Sequence, residues 1–211
     1  MTRSLSIFTE RRVAAVVALS ALLLTTSCGD KVLQGRGASY LIVSLLQAAS
    51  GAKSATFSTF LESDVVTNVK GTGTTLVPTV YEDMGQVALS MAMKDPVTVF
   101  EPTATNTITV ERYHVDYVRT DGRNTQGVDV PYSFDGAVTG TITSTDSTLV
   151  FVLVRAQAKL EAPLMALRGA GGAMIISTIA QVTFYGHDQA GNAVSVTGTI
   201  SINFADWPDS A

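Results

Sequence analysis

The stretch AMIISTIAQVTFYGHDQAGNAVSVTGTISINF, residues 173–204, decides the fold because apolar and polar side chains alternate along both of its halves. A period of two places successive side chains on opposite faces of a sheet, so we predict strands over 173–186 and 193–204. The connection between them contains Asp188, Gly191 and Asn192, residue types that favour tight turns. The pattern therefore predicts a long antiparallel hairpin near the C-terminus.

Further strands are predicted upstream of this hairpin, and the composition agrees with them. The chain has 27 Thr and 25 Val, which suit pleated sheets better than helices. In the run 106–119 the apolar parity changes midway, which predicts a β-bulge near Glu111 and Arg112. The segment 156–172 has no regular pattern and is predicted to be an irregular crossover. The predicted strands before the hairpin are 56–61, 85–93, 106–119, 133–143 and 148–155. The fold class is therefore all-β, with about seven strands.

One short helix is predicted at the start of the domain. The segment YLIVSLLQAAS, residues 40–50, is apolar on nearly every side, Ser39 can cap its start, and Gly51 suits the position after its end. We expect this helix to pack against the sheet, or to serve as a docking element in a larger assembly.

The sequence around the hairpin turn, FYGHDQAGNAVSV at 184–196, resembles the last strand pair of bacterial immunoglobulin-like and fibronectin-type domains. In those domains an Asp-x-Ala-Gly-Asn turn often joins the two strands, here Asp188 to Asn192. The resemblance implies an antiparallel immunoglobulin-like β-sandwich. We expect residues 39–211 to form that single domain. A sandwich of this kind serves many functions, so it implies none in particular.

The N-terminus has the pattern of an export signal. Arg11 and Arg12 precede the apolar run 13–24, which is too short to span a bilayer as a helix, and Thr-Thr-Ser follows. The only cysteine of the chain, Cys28, comes next. The segment 24–28, Leu-Thr-Thr-Ser-Cys, resembles the lipobox of bacterial lipoproteins, with Thr25 where Leu usually stands three residues before the cysteine.

This resemblance implies a cellular location and a lipid attachment to the membrane. The signal peptide 1–27 would be removed, Cys28 would receive the lipid, including palmitate, and residues 28–38 would form a flexible tether. The lipid bilayer is then the first partner, with two or three acyl chains giving stable attachment. We expect the protein in the bacterial cell envelope, at the outer membrane or cell surface, with the inner membrane also open. The alternative is a cleaved, soluble secreted protein.

The polar residues give little indication of catalysis. His114 and Asp116 share a face of a predicted strand and could interact, but no serine lies in a nucleophile motif. Glu82 and Asp83 are adjacent and so point to opposite faces of a strand, a poor arrangement for glycoside hydrolysis.

We therefore predict no catalytic residue, no metal site and no cofactor. Whether the loop from Asp121 to Asp135, or the turn Asp188–Asn192, binds calcium stays open.

The predicted function is that of a non-catalytic envelope lipoprotein that binds or spaces other envelope components, either protein or glycan. Only 15% of residues are charged and the net charge is −4, which disfavours nucleic acid as a partner. One alternative is a secreted hydrolase or carbohydrate-binding module that uses the 112–135 region. Another is a subunit of a larger cell-surface assembly. A sugar-stacking surface could draw on these aromatic residues: Tyr113, Tyr117, Tyr132, Phe134 and Trp207.

Overall fold

The computed structural model describes residues 37–53, 56–95 and 102–209. These residues belong to one compact unit that begins at Gly37. The predicted signal peptide 1–27, the lipid-bearing Cys28 and the tether up to residue 36 lie outside the described residues. The prediction of a lipidated N-terminus therefore stays a prediction.

The described part of the chain is mostly β, which confirms the all-β class. It contains ten strands rather than about seven, together with one short helix, α1 (Ala156–Leu160), and three 3₁₀ turns. The additional strands are the first one and a small hairpin, β3–β4, in a segment that the sequence leaves without a pattern. The strands are β1 Ser39–Ala49, β2 Phe60–Asp64, β3 Thr67–Lys70, β4 Leu76–Thr79, β5 Asp83–Met93, β6 Ile108–Val118, β7 Phe134–Ile142, β8 Ser147–Val154, β9 Ile176–Asp188 and β10 Ala193–Ala205.

The strands form two main sheets around a shared core. One sheet has the order β1-β5-β8 and the other the order β2-β10-β9-β6-β7. Buried side chains of both sheets belong to one hydrophobic cluster, in which the ring of Phe151 packs against those of Tyr113 and Phe184. Burial of this shared apolar surface is the main force that holds the sheets together.

The prediction of an entirely antiparallel arrangement is wrong at one strand. β2 runs parallel to β10, with Leu61 opposite Ile202, so the larger sheet is mixed. The cause lies in the corner that follows β1, where Ala48 and Ser58 exchange backbone hydrogen bonds of 2.8 and 2.9 Å. The chain turns there from the smaller sheet into the larger one, and it enters the larger sheet in the direction of β10.

The predicted helix at 40–50 is also wrong, because these residues form β1. Ser44 has no partner in the pairing of β1 with β5, which is a β-bulge. The bulge changes which side chains face the core, from Leu41 before it to Leu46 and Ala48 after it. Because core-facing apolar residues occur at both odd and even positions, the sequence has the pattern of a buried helix. Pairing with β5 determines the actual conformation. A docking helix at this position is therefore excluded.

The predictions for the C-terminal half are confirmed. β9 and β10 form the long hairpin, with Val196 opposite Phe184. The pairings of β6 with both neighbouring strands shift between Val110 and Arg112, which confirms the predicted bulge. The crossover at 156–172 contains only α1 and the 3₁₀ turn Leu164–Leu167.

Candidate functional site

The polar residues of the 112–135 region lie on the outer face of the larger sheet. His114 on β6 is bonded to Asp116 through Nε2 (3.2 Å) and to Asp135 on β7 through Nδ1 (3.1 Å). Arg112 lies 3.4 Å from Asp135, and its guanidinium packs over the ring of Tyr185. The carboxylate of Asp135 is 64% exposed. The structure thus brings the predicted His114–Asp116 pair together, in an open network that engages both ring nitrogens of the histidine.

The carboxylates of the 121–135 loop are used by the loop itself. Asp121 accepts hydrogen bonds from the guanidinium groups of Arg119 and Arg123 and from the backbone N–H of Arg123. These bonds hold the pKa of Asp121 far below its ordinary value, with the bond from Arg119 contributing most. Asp129 accepts the backbone N–H of Thr125 at 3.2 Å. Both carboxylates therefore stabilise the local chain conformation.

The turn between β9 and β10 is closed in the same way. The Asp188 carboxylate accepts the backbone N–H groups of Ala190 and Asn192 and the side-chain amide of Asn192. Burial disfavours the charged form of Asp188, but these hydrogen bonds outweigh burial and lower its pKa.

Within residues 37–53, 56–95 and 102–209, no group of three or more His, Cys, Asp or Glu side chains is arranged to hold a metal ion.

The aromatic residues proposed as a common sugar-stacking surface do not share one. Tyr113, Tyr117 and Phe134 are buried in the core. Tyr132 is 51% exposed within the 121–135 loop, and Trp207 follows β10 at a different place. Only Trp207 lines the cavity described next.

A cavity of about 440 Å³ opens where the end of β1, the strand β2 and the segment after β10 meet. Its volume lies within the range of roughly 300–1,000 Å³ that is typical of small-molecule sites. We call it the Trp207 pocket. Its lining consists of Ala48, Ser50, Ala52, Thr56, Ser58, Phe60, Leu61, Glu62, Asp64, Thr67, Asn68, Trp207, Pro208 and Asp209.

Asp64 fixes the shape of the Trp207 pocket. Its carboxylate accepts the hydroxyl of Thr67 at 2.7 Å and the backbone N–H of Trp207 at 3.1 Å, so it ties the β2–β3 corner to the C-terminal segment. Asn68 adds a second tie by donating to Oδ2 of Asp209 at 2.7 Å. Burial raises the pKa of Asp64, although its hydrogen bonds act in the opposite direction.

Two polar atoms of the pocket residues are buried, without contact to the open cavity, and have no hydrogen-bond partner among the residues that the structure describes. They are Nε1 of Trp207, which can only donate, and Oδ1 of Asp209, which accepts when ionised. Phe60 adds an aromatic side chain that is 52% exposed. Among the side chains that the structure describes, the lining includes the acidic residues Glu62, Asp64 and Asp209. The pocket thus combines aromatic surface with three acidic side chains.

A buried ion pair supports one wall of this pocket. Lys159 on α1 donates to Oδ1 of Asp83 at 2.9 Å, and both side chains are buried. Asp83 also accepts the backbone N–H of Gly51 at 2.8 Å and the hydroxyl of Ser63 at 2.6 Å. Gly51 and Ser63 each lie next to a pocket residue, Ser50 and Glu62 respectively. This pair therefore has a structural role.

Most residues of the pocket are not predicted as a site by the sequence. Trp207 carried a usable signal, since it is the only tryptophan of the chain. The residues of β2 and β3 are brought to it by the parallel pairing of β2 with β10, which no local pattern predicts.

Comparison with known proteins adds no assignment. No protein-family model matches the sequence, and no curated protein shows significant similarity to it.

None of the helices in the described ranges has the length and apolar character needed to cross a bilayer.

Proposed function

We propose that the protein is a lipid-anchored envelope protein that binds its ligand non-catalytically in the Trp207 pocket. The observation that carries this proposal is the pocket itself, whose lining combines aromatic and polar side chains. Concave sites with a few polar groups are typical of ligand binding.

The position of the pocket supports an anchored binding domain. The described chain begins at Gly37, beside the β9–β10 turn, where a Cβ would lie 2.9 Å from Oδ2 of Asp188. Ala48, near the opposite end of β1, lines the pocket. At roughly 3.3 Å per residue, β1 separates these two ends by about 33 Å. A lipid on Cys28 is connected through Gly37, so the pocket lies at the end of the domain away from that connection.

The pocket chemistry favours binding over catalysis. Of the three lining carboxylates, Asp64 and Asp209 are engaged by hydrogen bonds within the protein, whereas glycoside hydrolysis uses a pair of available carboxyl groups. In the 112–135 region, His114 already has both ring nitrogens bonded to carboxylates. A hydrolase or sugar-binding site in that region remains the alternative proposal, as does membership of a larger surface assembly.

The envelope location and the family relationship belong to the same proposal. Attachment through Cys28 to the outer membrane or cell surface rests on the lipobox-like segment and the preceding apolar run. The relationship to immunoglobulin-like domains rests on the hairpin and on the turn that Asp188 closes.

Metabolic labelling with tritiated palmitate tests the anchor. We expect the full chain, expressed in a bacterial host, to be labelled and to fractionate with membranes. The variant Cys28→Ser is expected to lose both properties, because the thiol is the acylated atom. An unlabelled wild-type protein, or a Cys28→Ser variant that stays in the membrane fraction, would contradict the proposal. The conservative variant Thr26→Ser serves as the matched control.

A further inference from the structure

We propose that residues 206–209 form a movable strap, which opens and closes the Trp207 pocket while the sheets stay folded. This inference rests on the proposed function, because it describes how access to the same pocket is controlled. Three properties of the strap lead to it: its position at the pocket, its attachment to the domain and its buried polar atoms.

The strap follows β10 directly and forms one wall of the pocket. β10 ends at Ala205. Three of the four strap residues line the cavity: Trp207, Pro208 and Asp209. The cavity also borders Leu61, a side chain of the hydrophobic core. Displacement of the strap would therefore widen the cavity toward the core, whereas the closed strap restricts access to it.

The strap is not part of a strand ladder. The pairing of β10 with β2 ends at Ala205, whose carbonyl accepts the N–H of Val65 at 3.0 Å. Beyond that point, no backbone–backbone hydrogen bond joins the strap to the other residues that the structure describes. The strap can therefore move away from the domain without disturbing the pairing of β10.

Three hydrogen bonds that involve side chains hold the strap in its closed position. They join the N–H of Trp207 to Asp64 at 3.1 Å, Asn68 to Asp209 at 2.7 Å, and the N–H of Gly169 to Asp206 at 2.5 Å. Water can replace each of these partners when the strap opens. Opening of the strap therefore costs much less free energy than unfolding of a buried strand.

Two buried polar atoms of the strap favour its opening. Nε1 of Trp207 and Oδ1 of Asp209 are buried and have no hydrogen-bond partner within the described part of the chain. A buried polar group without a partner lowers the stability of the arrangement that buries it, because it has lost its contact with water. Both atoms regain that contact when the strap opens, which opposes the three hydrogen bonds that close it.

Hydrogen exchange of the full-length protein, extracted in detergent, tests the strap without any ligand. We expect the amides of residues 206–209 to exchange through a local opening, so their rates should change little at low urea concentrations. The central amides of β10 should exchange only through global unfolding, and their rates should rise steeply with urea. Mass spectrometry of peptides from both regions measures these rates. The same urea dependence in the strap and in β10 would overturn the inference.

Asn68→Ala tests the attachment, because it removes the side chain that donates to Asp209. It should speed exchange of the strap by about three- to tenfold and increase acrylamide quenching of Trp207, while exchange of β10 changes little. Asn203→Ala is the matched control, since Asn203 bonds to Ser177 at 2.8 Å on the sheet and not on the strap. It should leave strap exchange and quenching at their wild-type values. Wild-type behaviour of Asn68→Ala, or equal effects of the two variants, would overturn the inference.

These measurements separate the strap from the proposed function. A strap that exchanges only together with β10 refutes the inference and leaves pocket binding and palmitate attachment intact. Local opening of the strap in a protein that binds no ligand in the pocket would support the strap and contradict the proposed function.

Discussion

Lys159 donates a hydrogen bond of 2.9 Å to Asp83, and neither side chain is more than 1% exposed. The pair joins α1, in the crossover after β8, to the start of β5. Through Gly51 and Ser63, Asp83 also holds the chain on both sides of the β1–β2 corner. A single carboxylate therefore positions three segments at the pocket end of the domain.

Breaking this pair from one side should strongly destabilise the fold. Lys159→Met leaves a buried carboxylate without its cation, and Asp83→Asn leaves a buried ammonium group without its anion. Each change should lower the free energy of unfolding by about 3–5 kcal/mol. Urea denaturation followed by circular dichroism measures this loss.

The double variant Asp83→Asn/Lys159→Met provides the control. It removes both charges, while the Asn side chain can still accept the backbone N–H of Gly51. It should therefore be more stable than either single variant. Additive losses in the double variant would show that the two residues act independently.

Gly136 on β7 is required by the core, because it lies opposite Tyr113 on β6. A Cβ at Gly136 would overlap the ring of Tyr113, which packs against Phe151. Gly136→Ala should cost about 1–3 kcal/mol of stability through overpacking. The exposed Thr139 on the same strand is a control position, where replacement by Ala should change stability by less than about 0.5 kcal/mol. Equal effects at both positions would contradict this packing.

The Asp188 turn should make stability depend on pH in the acid range. Because its pKa is lowered in the folded state, the charged carboxylate stabilises the fold above about pH 4, the ordinary value for Asp. This contribution is lost as the pH falls through the folded-state pKa. Asp188→Asn should therefore be about 1–2 kcal/mol less stable than the wild type at pH 7, and the difference should shrink toward pH 2. Urea denaturation at several pH values tests this, and a difference that does not vary with pH would contradict it.

The sequence predicts most of the C-terminal half because its strands pair with neighbours in the chain and keep a strict period of two. Even the bulge between Val110 and Arg112 is visible as a change of parity. A bulge also explains the wrong helix prediction at β1, where the bulge at Ser44 spreads apolar residues over both odd and even positions. At this position a bulged strand and a buried helix have the same apolar sequence pattern. Pairing with β5 selects the strand, and β5 is distant in sequence.

The candidate site was less predictable than the fold. The His114–Asp116 contact follows from strand alternation and is confirmed. The Trp207 pocket depends on three segments that meet only after folding, and on hydrogen bonds such as that from Trp207 to Asp64 across 143 positions of sequence. No periodicity or motif encodes such a contact.

Fluorescence of the single tryptophan most directly tests whether ligands bind in the Trp207 pocket. We predict that titration of the full-length protein with soluble fragments of the bacterial envelope shifts the emission of Trp207 and protects it from acrylamide quenching, and that both effects saturate. Saturable binding of such fragments that leaves both the emission and the quenching of Trp207 unchanged would contradict the account, because the ligand would then bind elsewhere on the protein.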